Sequence, residues 1–357
     1  MTQERQQQLN ELLEEVLKRG ATDLHLAYNR PPIVRVDGAL VTLEGKPALT
    51  ADEVKELSLS LLNEDQQERF WAQKDIDFAF TFEDKARFRS NIFQQMGRVS
   101  SAFRYIPQKV RTIEDLNLPP ILHQFTQATQ GFFLVVGPSG HGKSAALAAM
   151  VDEVNHTRTD HIITIEDPVE YLFMQDKCII DQREVGIDAL DFHRGLRAMF
   201  REDADVVMIG EMRDAETIST AITAAETGHL IFSTLHTNTA SQTIDRIIDS
   251  FPPYQQPQIR AQLSSTMLGI LSRRLIPCAQ GGMINAVELL IMNSAVRNMV
   301  REGKVHQIDM IIETSSEEGM ISLNRSLAEL VNRKLISFEN AELYSTSPAE
   351  LRILLER

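Results

Sequence analysis

The sequence predicts an α/β protein in which a small α+β domain precedes a larger domain of alternating strands and helices, followed by a helical C-terminal region. Three observations carry that prediction. Residues 1–106 hold two helical segments and several short strands with hairpin signals. Residues 119–292 place short apolar strands between helical segments, as in a parallel sheet covered on both faces. Between the apolar run Phe132–Val136 and the helix-like Ala145–Met150 lies Gly137-Pro138-Ser139-Gly140-His141-Gly142-Lys143-Ser144, in the strand, glycine loop, helix context of a Walker A phosphate loop.

Each element has its own reason. Leu9, Leu12, Leu13, Val16 and Leu17 share one helical face, which Gly20 ends. Ile33–Val36 and Ala39–Leu43 read as strands around an Asp37-Gly38 turn. Thr50-Ala51-Asp52-Glu53 is a capping box opening a helix with Val54, Leu57, Leu61 and Leu62. Ile76, Phe78, Phe80 and Phe82 alternate with polar or small residues up to a polar turn at Glu83-Asp84-Lys85, and strands follow at Ala86–Phe93 and Val99–Ile106. Arg87, Arg89 and Asn91 share the face opposite Phe88 and Ile92. That face is either solvated or, in a multimeric ATPase, one that presents Arg89 and Arg104 to a neighbour's phosphates. Residues 107–118 read as a linker, and Ala295–Glu302, Leu323–Leu330 and Pro348–Leu355 as helices of the C-terminal region at residues 293–357.

Composition narrows the function. At 357 residues, two or three folding units are expected. The formal net charge of −14 is spread without a basic tail or stripe, which disfavours nucleic-acid binding. No apolar run approaches the roughly 20 residues of a membrane span, and the N-terminus lacks a signal-peptide layout. Cys178 and Cys278 form neither a disulfide framework nor a zinc ribbon, which fits a reduced cytosolic protein.

The phosphate loop fixes the chemistry. Gly137, Gly140 and Gly142 let successive backbone N–H groups turn inward on phosphate oxygens, and the following helix adds its positive end. Lys143 supplies a point charge to the β- and γ-phosphates and Ser144 a hydroxyl for Mg²⁺. Three further segments belong at carboxyl ends of strands, where open α/β sheets bind ligands. His161–Ile165 runs into Glu166-Asp167-Pro168-Val169-Glu170, either a solvated acidic loop or a source of the general base. Asp205–Ile209 runs through Gly210 into Glu211, a Walker B layout in which the acid supports Mg²⁺ directly or through water. Leu230–Leu235 is bracketed by His229 and His236. Either histidine can be structural, or His236 can sense the γ-phosphate.

Taken together, the phosphate loop, Ile165-Glu166-Asp167-Pro168-Val169-Glu170, Gly210-Glu211-Met212-Arg213-Asp214, Ala224-Ala225-Glu226-Thr227-Gly228-His229 and Thr234-Leu235-His236-Thr237 resemble the type II/IV secretion ATPases. Within them, the chain is similar to the PilT/PilU retraction ATPases of type IV pili, from Thr22-Asp23-Leu24-His25-Leu26 to the C-terminal helices. The resemblance implies a PAS-like N-terminal domain joined to a RecA-like P-loop domain. It implies a cytoplasmic homo-hexamer, peripheral at the inner face of the membrane, that hydrolyses ATP with Mg²⁺ and drives pilus retraction and twitching motility through a PilC-like platform protein. A paralogous retraction or assembly ATPase is a further partner. By position, Glu211 matches the Walker B acid, Glu170 the family's catalytic glutamate within the Glu166–Glu170 acidic box, and His229 and His236 the His box. Arg89 and Arg104 match arginines directed at nucleotide from the N-terminal domain, and Ala295–Glu302 a retraction motif.

The departures also inform. His141 replaces a usual serine and Ala145 a usual threonine, while Lys143 and Ser144 remain, so hydrolysis is expected to survive. The additional N-terminal domain and four-cysteine insertion of assembly ATPases are missing, which favours the retraction branch. The ending Ser347–Arg352 is more like PilU, and Gly210–Asp214 more like PilT. Two rival readings are an accessory nucleotide-binding paralogue, prompted by His141 and Ala145, and a RecA-like nucleic-acid translocase.

Overall fold

In a computed structural model, residues 3–36, 38–83, 85–106 and 109–356 are described, Gln3 and Glu4 by backbone alone. Met1, Thr2, the turn residue Asp37, Asp84 of the polar turn and Pro107 and Gln108 of the expected linker lie outside the described residues. The chain divides into two compact units, Met1–Lys109 with Pro168–Leu172, and Val110–Asp167 with Phe173–Arg357.

The N-terminal unit begins with α1 (Gln3–Lys18), whose Leu9, Leu12, Leu13 and Val16 are buried. Gly20, at φ +60°, ends it: Gly20 N donates to Leu17 O at 3.2 Å and Ala21 N to Val16 O at 2.9 Å, a Schellman closure that needs a left-handed residue. Strands β1 (Asp23–Leu26), β2 (Ile33–Val36) and β3 (Ala39–Thr42) follow, then α2 (Ala51–Leu59) and α3 (Glu64–Gln73). Strands β4 (Asp75–Phe82), β5 (Ala86–Gln95) and β6 (Arg98–Ile106) complete a wholly antiparallel sheet in the order β3-β2-β1-β6-β5-β4. The capping box at Thr50 forms: its side chain accepts Glu53 N at 3.2 Å and Glu53 accepts Thr50 N at 2.8 Å. A second box at Asn63 and Gln66 opens α3, a helix the periodicity does not show because Phe70 is its sole buried residue. Leu24, Phe88 and Phe103 pack with α1 and α2 on one face, leaving Arg87 and Arg89 on the other.

The C-terminal unit runs α4 (Leu122–Thr126), β7 (Gly131–Val136), α5 (Lys143–Thr157), β8 (His161–Glu166), β9 (Ile179–Glu184), α6 (Phe192–Met199), β10 (Val206–Ile209), α7 (Ala215–Glu226), β11 (Leu230–Leu235), α8 (Ala240–Asp249) and α9 (Gln256–Thr266). Then come β12 (Met267–Pro277), β13 (Met283–Ile291), α10 (Ser294–Glu302), α11 (Ile308–Thr314), α12 (Leu323–Asn332), α13 (Phe338–Tyr344) and α14 (Pro348–Leu355). The sheet order is β13-β12-β7-β11-β10-β8-β9. Every residue of β7, β10 and β11 is buried, as strands covered on both faces require. The expectation of a parallel sheet needs one correction: β13 runs antiparallel to β12, to which it is joined by a short turn. The C-terminal helices split between two cores. Val296, Val300, Ile308 and Ile312 join the main core, whereas Leu323, Leu327, Leu330 and Leu351 pack with Ile276 and Ala286 of the β12/β13 hairpin.

Removing the Thr50 cap tests the N-terminal unit, which contains Trp71, the single tryptophan. Thr50→Ala should cost about 1 kcal/mol, seen as a lower urea midpoint of Trp71 fluorescence at unchanged slope. An unmoved midpoint would show the box to be dispensable.

Candidate active site

The loop after β7 turns on glycines whose backbone angles other residues rarely adopt: Gly137 has φ +143° and Gly142, the residue before α5, φ +76°. Lys143 is buried and folds back across the loop. Its Nζ donates to Gly137 O at 3.0 Å, to Pro138 O at 3.1 Å and to His236 Nδ1 at 3.3 Å. Ser144 beside it is exposed.

His236 follows β11 and Glu211 lies two residues beyond β10, so β7, β11 and β10, adjacent in the sheet, deliver Lys143, His236 and Glu211 from neighbouring carboxyl ends. Because the ammonium only donates, His236 Nδ1 accepts, and Nε2–H is left to donate to Glu211 Oε2 at 3.1 Å. The other Glu211 oxygen pairs with Arg213. Thr234 Oγ1 donates to Gly210 O at 2.6 Å and Met212 N to Thr234 O at 3.2 Å, fixing the turn that carries Glu211 to β11. Glu166 ends β8, the next strand beyond β10. It is buried, with Oε1 accepting from Thr164 Oγ1 at 2.7 Å and Gln182 Nε2 at 3.3 Å.

The two histidines around β11 do not converge. His229 precedes the strand, and the six residues of β11 set it roughly 20 Å from His236. There His229 Nδ1 lies 3.0 Å from Ala224 O and the ring packs edge-on against Phe200. Within one chain, His229 is therefore not brought to the phosphate loop.

Glu170 belongs to the N-terminal unit with Arg89 and Arg104. Arg89 and Arg104 are directly opposed on β5 and β6, an unfavourable like-charge pair. Each has a carboxylate: Arg89 Nη1 meets Glu170 Oε1 at 2.9 Å and Arg104 Nε meets Asp23 Oδ1 at 2.9 Å. Arg87 Nε donates to Val169 O at 3.0 Å, holding the same acidic segment.

His141 turns its ring to β12, where Nδ1 accepts Leu275 N at 3.0 Å. Burial, then Arg274, Lys143 and Arg273, push its pKa below the usual histidine value and favour that neutral form. Sequence reasoning missed the β12/β13 residues behind the loops. Arg273 donates to Gly142 O and Asn285 Oδ1. Ser272 Oγ donates to Asn238 O at 2.8 Å, and Glu288 accepts Ala240 N at 2.8 Å, so both anchor the segment leading from His236 into α8. A carboxylate inside the apolar run Ala286–Ile291 was the available signal for Glu288.

Ser144 and Glu211 are oxygen donors, a set suited to Mg²⁺, which keeps several of its waters. Among the described residues no group of three or more His, Cys, Asp or Glu is placed to hold a metal by protein ligands alone.

A phosphate loop on a seven-stranded, mainly parallel sheet, with an acid and a histidine beyond its adjacent strands, defines a RecA-like P-loop ATPase. The type II/IV secretion system protein family model matches residues 3–342, and the chain belongs to that family. It is 43% identical over 333 residues to the type IV pilus retraction ATPase PilT of Pseudomonas aeruginosa, covering 93% of this chain and 96% of the relative. Its identity to the type IV pilus ATPase PilU of the same organism is 34% over 350 residues, covering 98% and 91%. A crystal structure of the pilus retraction motor PilT with bound ADP superposes with a TM-score of 0.88 at 44% identity, covering 96% of this chain and 98% of that one. No helix among the described residues is long and apolar enough to cross a membrane.

Glu288 is expected to make the stability of this unit depend on pH. Burial raises its carboxyl to about 7, with Ala240 N–H opposing, Asp309 adding and Arg274 opposing. The folded chain thus keeps a proton that the unfolded chain releases near 4.5, so its stabilising contribution is complete below pH 4.5 and is lost as pH rises through about 7. Glu288→Gln removes this effect, on the order of 3 kcal/mol. Its melting temperature should gain on the parent's as pH rises from 5 to 8. Parallel pH profiles would refute the assignment.

Proposed function

We propose that the chain is an ATP-hydrolysing retraction motor of the PilT type, working as a homo-hexamer on an inner-membrane platform protein to disassemble a type IV pilus and so power twitching. The observation that carries this reading is the Lys143–His236–Glu211 chain across three adjacent strand ends, on a fold whose relatives include PilT. The higher identity to PilT than to PilU favours the PilT type.

The chain's own residues suggest the sequence of events. An arriving triphosphate competes for Lys143 with two carbonyls and an imidazole, and its charged oxygens accept more strongly than those neutral groups. His236 then loses its donor on one side while keeping Glu211 on the other, so its position reports phosphate occupancy. Glu166 or Glu170 takes the proton of the attacking water, Glu170 once it is released from Arg89. Arg89 and Arg104 supply positive charge from the N-terminal unit of this or a neighbouring chain. Ser144 and Glu211, the latter directly or through water, would hold Mg²⁺, which when bound neutralises β- and γ-phosphate charge. His229 has no part in these steps within its own chain.

Lys143→Ala and Glu211→Ala should each lower ATP turnover by about 100-fold or more, and cells carrying either should remain piliated yet fail to twitch. Arg89→Ala should lose about 1000-fold. Parental turnover in the Lys143 or Glu211 variant, or unimpaired twitching, would overturn the motor assignment.

A further inference from the structure

We propose that Arg273 is a positioning residue for the phosphate loop, clamping both of its ends on β12 before nucleotide arrives, with His141 as a second clasp from the loop. This rests on the ATPase reading for its consequence but not for its geometry. Strand β12 pairs with β7 in parallel, with Ser272 opposite Val136, so Arg273 falls beside Gly137, where β7 gives way to the loop. A Cβ at Gly137 would collide with Arg273 O, so backbone meets backbone there. The Arg273 side chain, 1% exposed, reaches the loop's other end and donates to Gly142 O. That carbonyl also accepts Ala146 N at 3.2 Å, the first hydrogen bond of α5. A Cβ at Gly142 would lie 3.1 Å from the Arg273 guanidinium, so the two are in close contact.

The guanidinium is anchored from behind. It donates to Asn285 Oδ1, and Asn285 Nδ2 donates in turn to Leu116 O at 2.5 Å. Leu275 N, two residues along β12, donates to His141 Nδ1. Gly137, His141 and Gly142 are thus registered on Arg273 and Leu275. A planar fork of fixed donors suits a clamp between two carbonyl acceptors better than a flexible ammonium. Phosphate recognition needs several loop N–H groups to converge, and any ordering left until binding is subtracted from affinity. Arg273 meets the loop at Gly142 O and acts through that contact.

The test uses the full chain in three forms: parental, Arg273→Met and Arg273→Lys. Without nucleotide, amide hydrogen exchange at residues 139–144 should quicken about 10-fold in Arg273→Met while amides of β8 and β10 keep their protection, and Arg273→Lys should recover part of the loss. With ADP as probe, the Kd of Arg273→Met should rise about 10-fold, and the KM for ATP should rise by more than kcat falls. Unchanged loop exchange in Arg273→Met would overturn the proposal. So would a uniform loss of protection throughout the unit that Arg273→Lys does not relieve, since that marks a residue of the core. Where Arg273→Met does not fold, Asn285→Leu serves: it leaves the arginine but removes its anchor, and undisturbed loop exchange there also refutes the clamp. Failure of the parental chain to bind ADP would count against the ATPase reading, whereas Arg273 stands or falls on the nucleotide-free exchange.

Discussion

The buried ammonium of Lys143 is the constraint on which the site depends. A charge taken out of water needs its protons satisfied, and Gly137 O, Pro138 O and His236 Nδ1 do this by bringing the loop and the end of β11 to one point. These three partners are neutral and come from backbone and imidazole. Such an arrangement satisfies a lysine in the absence of anion while leaving it ready to change partners when one arrives. Glu211 is joined to the same point through His236, so the acid expected near the metal and the cation expected at the phosphate share one imidazole ring.

Much of this was legible in the sequence because the determinants are local. The spacing from Gly137 to Ser144 dictates a strand, a turn and a helix, and acids after apolar runs fall at strand ends in any parallel sheet. The capping box at Thr50 and the alternation that sets Arg87 and Arg89 opposite Phe88 are equally short-range. Strand β12 was hidden because Ser272, Arg273 and Arg274 interrupt its apolar pattern, and two of those polar residues are there to hold loops distant in sequence. Strand β9, at the sheet edge, follows Ile179 and Ile180 with four polar residues, Asp181 to Glu184, and so presents no apolar period. The two histidines are separated by the whole length of β11. In a parallel sheet the residue before a strand and the residue after it stand on opposite rims.

The β12/β13 hairpin links these features. One face of β12 offers Ser272, which with its cross-strand neighbour Glu288 holds the way from His236 into α8. The other offers Arg273, which with Asn285 holds the phosphate loop. Successive residues of a strand point to opposite faces, so two neighbours in sequence brace the two loops that meet at Lys143. The last helices pack on Ile276 and Ala286 of the same hairpin, so the C-terminal region shares its core with the strands that hold both loops.

The opposed arginines of the N-terminal unit are already charge-balanced within the fold. Arg89 and Arg104 face one another on adjacent strands, each neutralised by a carboxylate that comes from elsewhere in the fold, Glu170 and Asp23. A polyanion that settles on them releases two internal counter-ions instead of stripping two bare cations of water. The exchange then costs little in charge, can be reversed with equal ease, and weakens as dissolved salt rises and screens every partner alike. Electrostatics of this kind would suit the part proposed above for Arg89 and Arg104.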